Sequence, residues 1–120
     1  MISEQEITVT LILEGFLEDF LASVQSILDN CAAPIYVLVN GKQDFQALEG
    51  LSPRISINYQ KQRLGWSNAV NLILDEVSTD YLVLMDPSTR FVGNPLPEVL
   101  AKLEEKYVGA GWRGGLSYLS

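Results

Sequence analysis

Alternating strand and helix signals predict an α/β fold: three layers, with a mostly parallel sheet of four to five strands and helices on both faces. Three observations carry this expectation. Short runs rich in β-branched residues alternate with segments whose apolar residues recur at helical spacing. One run, Ile35-Tyr36-Val37-Leu38-Val39, is apolar without a break, as expected of a strand buried on both faces of a parallel sheet. Pro34, Asn40-Gly41 and Gly50 then mark boundaries between the runs.

The elements follow in order. Ile7-Thr8-Val9-Thr10-Leu11-Ile12-Leu13 reads as the first strand. Phe16, Leu17, Phe20, Leu21, Val24, Ile27 and Leu28 form one apolar stripe on a helix of about 14 residues. Residues 35–39 are the second strand, and Asn40-Gly41 ends it in a turn. Phe45 and Leu48 suggest a short helix that stops near Gly50. Arg54-Ile55-Ser56-Ile57-Asn58-Tyr59 alternates as a third strand. Ser67 or Asn68 is expected to cap the next helix, which carries Val70, Leu72, Ile73, Leu74 and Val77. Tyr81 to Met85 is the fourth strand. Asn94-Pro95 starts a further helix, with Leu96, Val99, Leu100 and Leu103 as its buried stripe. Tyr107 to Trp112 reads as a short fifth strand, and the tail from Arg113 to Ser120 shows no structure signal.

Right-handed βαβ crossovers give a strand order of about 3-2-1-4, with the fifth strand at an edge. The order then reverses between strands 1 and 4. Ligands of open α/β sheets bind outside the carboxyl ends of the strands at such a point. Leu13-Glu14-Gly15 and Asp86 are therefore expected to face one crevice.

Composition sets bounds on function. A chain of 120 residues is one domain, 1–120, and 48% hydrophobic content is enough for a core. A net charge of -7 argues against nucleic acid as a partner, because phosphate neutralisation needs basic patches. There is no histidine, so any catalysis would fall to carboxylates, hydroxyls or backbone groups. The lone cysteine, Cys31, excludes an intrachain disulfide. No apolar run approaches the roughly 20 residues of a membrane span. The acidic start, Met1-Ile2-Ser3-Glu4-Gln5-Glu6, is unlike a signal peptide, which makes a cytoplasmic location the default expectation.

Two segments carry a resemblance. Leu64-Gly65-Trp66-Ser67-Asn68-Ala69-Val70-Asn71 is similar to a Gly-x-x-x-Ala-x-Asn helix start. Tyr81-Leu82-Val83-Leu84-Met85-Asp86-Pro87-Ser88-Thr89 is similar to a strand ending in Asp-x-Asp-Thr, and Val108-Gly109-Ala110 to the strand that follows. With the order of elements from residue 7 to about 112, the chain resembles the N-terminal, nucleotide-sugar-binding half of family-2 glycosyltransferases, of GT-A, Rossmann-like fold. The resemblance implies a nucleotide-sugar donor, and a metal, Mg2+ or Mn2+, beside Asp86 and Ser88. Such a cation would neutralise charge on a departing nucleoside diphosphate. It also implies nucleotide contacts from Glu14, Asn40 and Asn71.

The chain departs from that family pattern at the same positions. Ser88 replaces the second aspartate, and Asn40 stands where an aspartate closes the second strand. Leu13-Glu14-Gly15-Phe16-Leu17 replaces Pro-x-Tyr-Asn-Glu. The family's catalytic base lies in an acceptor-binding half, and no catalytic residue is assigned here.

Each candidate has a structural alternative. Asp86 can cap the turn through Pro87-Ser88-Thr89. Asn71 can bond a neighbouring loop. Gly15 either admits a ligand or permits a turn. Trp66 either stacks on a base or is buried against the sheet, and burial is the expectation. Lys61, Arg63 and Arg90 either meet phosphates or are solvated. Two functions follow: a glycosyltransferase-like domain that binds a nucleotide sugar, or a non-catalytic binding and assembly module derived from one. The second would pair strand 5 and Trp112, Leu116, Tyr118 and Leu119 with a second copy, as a homodimer.

Overall fold

The structure, a computed structural model, describes residues 3–98, 101, 109–111 and 117–119. The main elements are β1 (Ile7–Leu13), α1 (Leu17–Asn30), β2 (Ile35–Asn40), β3 (Ile55–Gln60), α2 (Trp66–Glu76) and β4 (Tyr81–Leu84). A single helical turn of 3-10 type, Gln46–Leu48, lies between β2 and β3. β1 to β4 form one sheet in the order β3-β2-β1-β4, and all three pairings are parallel. Val9 lies opposite both Ile35 and Val83, which fixes the register across its centre.

The two central strands are buried along their whole length, as continuous apolar runs require. Their alternate side chains feed two separate cores. Ile7, Val9, Leu11 and Leu13 meet Phe20, Val24 and Ile27 of α1 on one face. Ile12, Tyr36 and Leu38 meet Ala69 and Ile73 of α2 on the other. Each fully buried Leu, Ile or Phe contributes about 1.5–3 kcal/mol of transfer free energy. The three-layer architecture therefore follows from strand alternation together with one apolar stripe on each helix.

Hydroxyls secure the sheet where apolar contact cannot. Thr10 is buried and donates to the Val83 carbonyl at 2.8 Å. Ser23 Oγ donates to the Thr89 carbonyl, and Ser26 Oγ accepts from the Phe91 amide at 2.9 Å. α1 thus holds the segment that leaves β4.

Asn94 Oδ1 accepts from the Leu96 amide at 3.1 Å, and residues 96–98 are helical with Leu96 fully buried. Pro95 immediately precedes the first helical residue, Leu96, one position before the expected start. Val99, Leu100 and Leu103 lie outside the described residues.

Several local expectations need correction. Phe16 does not join the buried stripe of α1. It is the N-cap, in left-handed conformation at φ 53°, and it is 85% exposed. α2 is capped neither by Ser67 nor by Asn68. Its cap is Gly65, two residues before Ser67, because the Gly65 carbonyl already accepts from the Ala69 amide at 2.9 Å. This start leaves Trp66 68% exposed rather than packed on the sheet.

The fifth strand, β5 (Gly109–Gly111), does not extend the main sheet. It pairs antiparallel with β6 (Ser117–Leu119) in a separate two-stranded sheet. The tail without a structure signal thus supplies the partner strand. Tyr107, Trp112 and Leu116 lie outside the described residues.

Candidate functional site

The strand order reverses between β1 and β4, and a cleft of about 440 Å³ opens at the carboxyl ends of these two strands. Glu14, Gly15 and Phe16 line it from the β1 side, and Asp86, Pro87 and Ser88 from the β4 side. Asp19 and Phe20 of α1 and Trp66 and Ala69 of α2 complete the lining. Glu14, Asp86 and Ser88, expected near one crevice, are therefore brought together.

Glu14 is fixed by two partners. It accepts a hydrogen bond from the Asn40 carboxamide and pairs with Arg63 at 3.2 Å. Arg63 is largely exposed, so the ion pair orients more than it stabilises.

Asn40 is 3% exposed and closes β2. Besides Glu14, it donates to the Leu64 carbonyl at 3.0 Å and accepts from the Leu64 amide at 2.7 Å. It therefore positions both Glu14 and the loop that leads into α2. A nucleotide acceptor at Asn40 would have to displace Glu14 or the Leu64 carbonyl from its NH2 group, which already makes two bonds.

The turn after β1 needs Gly15. Its φ is +92°, and a Cβ there would meet no atom within 4 Å, so backbone conformation rather than crowding selects glycine. Gln43 holds this turn, accepting from the Gly15 amide while donating to the Leu13 carbonyl at 2.6 Å and the Asn40 carbonyl at 2.9 Å.

Asp86 leaves the sheet directly, because the Met85 amide still bonds the Thr10 carbonyl at 2.8 Å. Its Oδ1 accepts from the Ser88 amide at 2.8 Å and from the Ser88 hydroxyl at 2.7 Å. Its carbonyl accepts from the Thr89 amide at 3.0 Å and the Thr89 hydroxyl at 2.7 Å. The aspartate closes its own turn, as Asx residues do.

A hard divalent cation prefers about six oxygen ligands, several of them carboxylates. Here the Oδ1 atom of the one carboxylate already takes two donors, and Ser88 supplies both. Among the described residues no group of three or more Cys, Asp or Glu side chains converges on a metal position. Asp86 and Ser88 by themselves do not fit a magnesium or manganese site, and no chemistry is routed through one.

Asn71, Lys61 and Arg90 do not line the cleft. Asn71 is exposed on α2 and is not part of its lining. Lys61 is exposed in the loop after β3. Arg90 reaches Asp19 at 3.8 Å, an ion pair exposed on both sides.

The sequence reading gave no role to Asp19 or Gln43. Asp19 lies in the first turn of α1, where acidic residues are common for dipole reasons alone. Gln43 follows a turn without any pattern that marks it. Among the described residues no helix is long and apolar enough to cross a membrane. No protein-family model matches the chain, and a search of curated proteins finds no match to it.

Proposed function

We propose that this chain is a binding module built like the nucleotide-sugar-binding half of a family-2 glycosyltransferase. It takes a nucleotide sugar or a close derivative at the β1–β4 switch point and does not itself transfer the sugar. One observation carries the choice between binding and transfer. Ser88 stands where the family pattern has its second carboxylate, and its amide and hydroxyl both donate to Asp86, the aspartate that would anchor a catalytic metal. The cleft beside it is nevertheless open and flanked by exposed aromatic rings. Glu14, held by Asn40 and Arg63, supplies a fixed acceptor at its rim.

Calorimetric titration with a set of nucleoside-diphosphate sugars tests this reading. Saturable heat at about 1 mM ligand or below is expected, equal within about twofold in manganese and in chelator. Release of nucleoside diphosphate in the presence of sugar acceptors is not expected. Heat seen only with manganese, and abolished by Asp86→Ala, would establish a metal-dependent transferase site instead. The absence of heat with every donor removes nucleotide-sugar binding.

The assembly part of the reading rests on β5 and β6. A two-stranded ribbon is marginal by itself in water; β5 already touches β4, and a second copy would add support along the ribbon. A monomer by light scattering at about 100 μM would count against the homodimer.

A further inference from the structure

We propose that Arg63 is the counter-charge for the diphosphate of the ligand. Its guanidinium leaves Glu14 for the phosphates, and the carboxylate oxygen it frees accepts from a ligand hydroxyl. This deepens the function proposed above and rests on it for the presence of a diphosphate.

The need comes from the ligand. The diphosphate of a nucleotide sugar is anionic, and a charge taken out of water without a partner is costly. Asp86 with Ser88 does not build a metal site to meet it. A guanidinium at the rim of the cleft meets the same need.

The cavities point to one cation. Lys61 and Arg90 line neither the cleft nor the space beside it. Arg63, with Leu64 and Gly65, lines a second cavity of about 360 Å³. Glu14 and Trp66 belong to the lining of both. The two spaces therefore meet at the Arg63–Glu14 pair, which suits a ligand of two parts joined by a charged link.

Arg63 has a fixed base and a free head. The next residue, Leu64, is held at its amide and carbonyl by the buried Asn40. The turn after β2 packs against the stem, since a Cβ on Gly41 would lie 3.4 Å from the Arg63 Cβ. The side chain is nevertheless 72% exposed. In the ion pair, Nη2 donates to Oε2 of Glu14 at 3.2 Å. Asn40 donates to the other oxygen, Oε1. Departure of Arg63 therefore leaves Glu14 in place.

Both groups gain from the exchange. An ion pair open to water contributes little, whereas a guanidinium forks two phosphate oxygens at once. Glu14 keeps one amide donor and takes a ligand hydroxyl as the second, which suits a group that only accepts.

The test is calorimetric titration of the full chain, in chelator, with the nucleoside-diphosphate sugars and with the bare diphosphates UDP, GDP and ADP. At least one nucleotide sugar and its bare diphosphate are expected to bind. Arg63→Ala should weaken both about tenfold. Arg90→Ala removes an equal charge from its pair with Asp19 and should change binding by less than about twofold. Glu14→Gln removes the competitor for Arg63 and should tighten the bare diphosphate about threefold. An ion pair that merely shapes the rim gives the opposite sign. Arg63→Lys keeps the charge without the fork, should weaken binding about threefold, and serves if Arg63→Ala unfolds.

Nucleotide-sugar binding that Arg63→Ala leaves unchanged, or that no bare diphosphate shares, overturns this inference and leaves the proposed function standing. Equal losses in Arg63→Ala and Arg90→Ala do the same. So does bare-diphosphate binding that is unchanged or weaker in Glu14→Gln. Silence from every compound overturns both.

Discussion

The Asn40 carboxamide donates to the Glu14 carboxylate, which couples the end of β2 to the end of β1 at the rim of the cleft. Because the same carboxamide bonds the Leu64 amide and carbonyl, one buried side chain holds two loop residues through three hydrogen bonds. They share a polar network whose members gain from one another in low dielectric.

Asn40→Asp tests that network. The variant keeps an acceptor for the Leu64 amide, loses both donors, and places a carboxylate against Glu14. A loss of about 2–4 kcal/mol at pH 7 is expected in urea unfolding. Repulsion raises the folded pKa of this carboxylate pair, so the lost stability should return as pH falls and be lost again as pH rises. Glu14→Gln in the same chain should recover part of it. Equal stability of Asn40→Asp and the parent at pH 7 would show the network to be unimportant.

Phe16→Gly separates stability from function. Glycine adopts the left-handed conformation without strain, and the exposed ring contributes little to the core. Thermal unfolding should show unchanged or increased stability, by about 0–1 kcal/mol, while ligand binding falls. A loss above about 1.5 kcal/mol would mean that Phe16 packs in the folded chain.

Arg54 closes the end of α1. Its Nε and Nη2 donate to the Ala33 carbonyl at 3.2 and 2.9 Å, and Nη1 donates to the Leu28 carbonyl at 3.4 Å. Arg54→Ala should cost about 1.5–3 kcal/mol. Arg54→Lys, a point charge without a planar fork, should recover less than half of that. Chemical denaturation of the three proteins gives the ranking.

Alkaline pH should destabilise the fold. Burial pushes up both the Cys31 thiol and the Tyr36 phenol, with Arg54 pulling Cys31 and Asn58 pulling Tyr36 the other way to a smaller extent. Groups whose folded pKa exceeds the unfolded value stabilise fully below the unfolded pKa, and that stability is lost as pH rises through the folded one. The urea midpoint should therefore fall above about pH 8.5. Tyr36→Phe with Cys31→Ala should flatten the decline. Apart from the weak pull of Asn58, the buried Tyr36 hydroxyl makes no well-aligned hydrogen bond among the described residues, so Tyr36→Phe at pH 7 should lie within about 1 kcal/mol of the parent.

The sheet was legible because burial imposes pattern. β1 and β2 are buried on both faces and read as unbroken apolar runs, and the crossover rule then placed β4 beside β1. The position of Asp86 followed from that order alone. What it does there did not, because the Asx turn depends on the hydroxyl of Ser88 rather than on any periodic signal.

Phe16 and Trp66 were misread for a related reason. Apolar residues at helical spacing are assigned to a core by default, and a helix end lets its first aromatic escape to solvent. The partnership of β5 with β6 was hidden because Gly109-Ala110-Gly111 carries almost no side-chain signal. Ser23 and Ser26, polar positions on α1, gave no hint that they would hold the segment after β4.

Chemical-shift mapping under saturating nucleotide sugar tests most directly whether the switch-point cleft is the binding site. Perturbed amides should cluster at residues 14–20, 66–69 and 86–88, with β3 unaffected. Perturbations centred on β3 or the exposed face of α2, with those three segments silent, would contradict the assignment of the cleft.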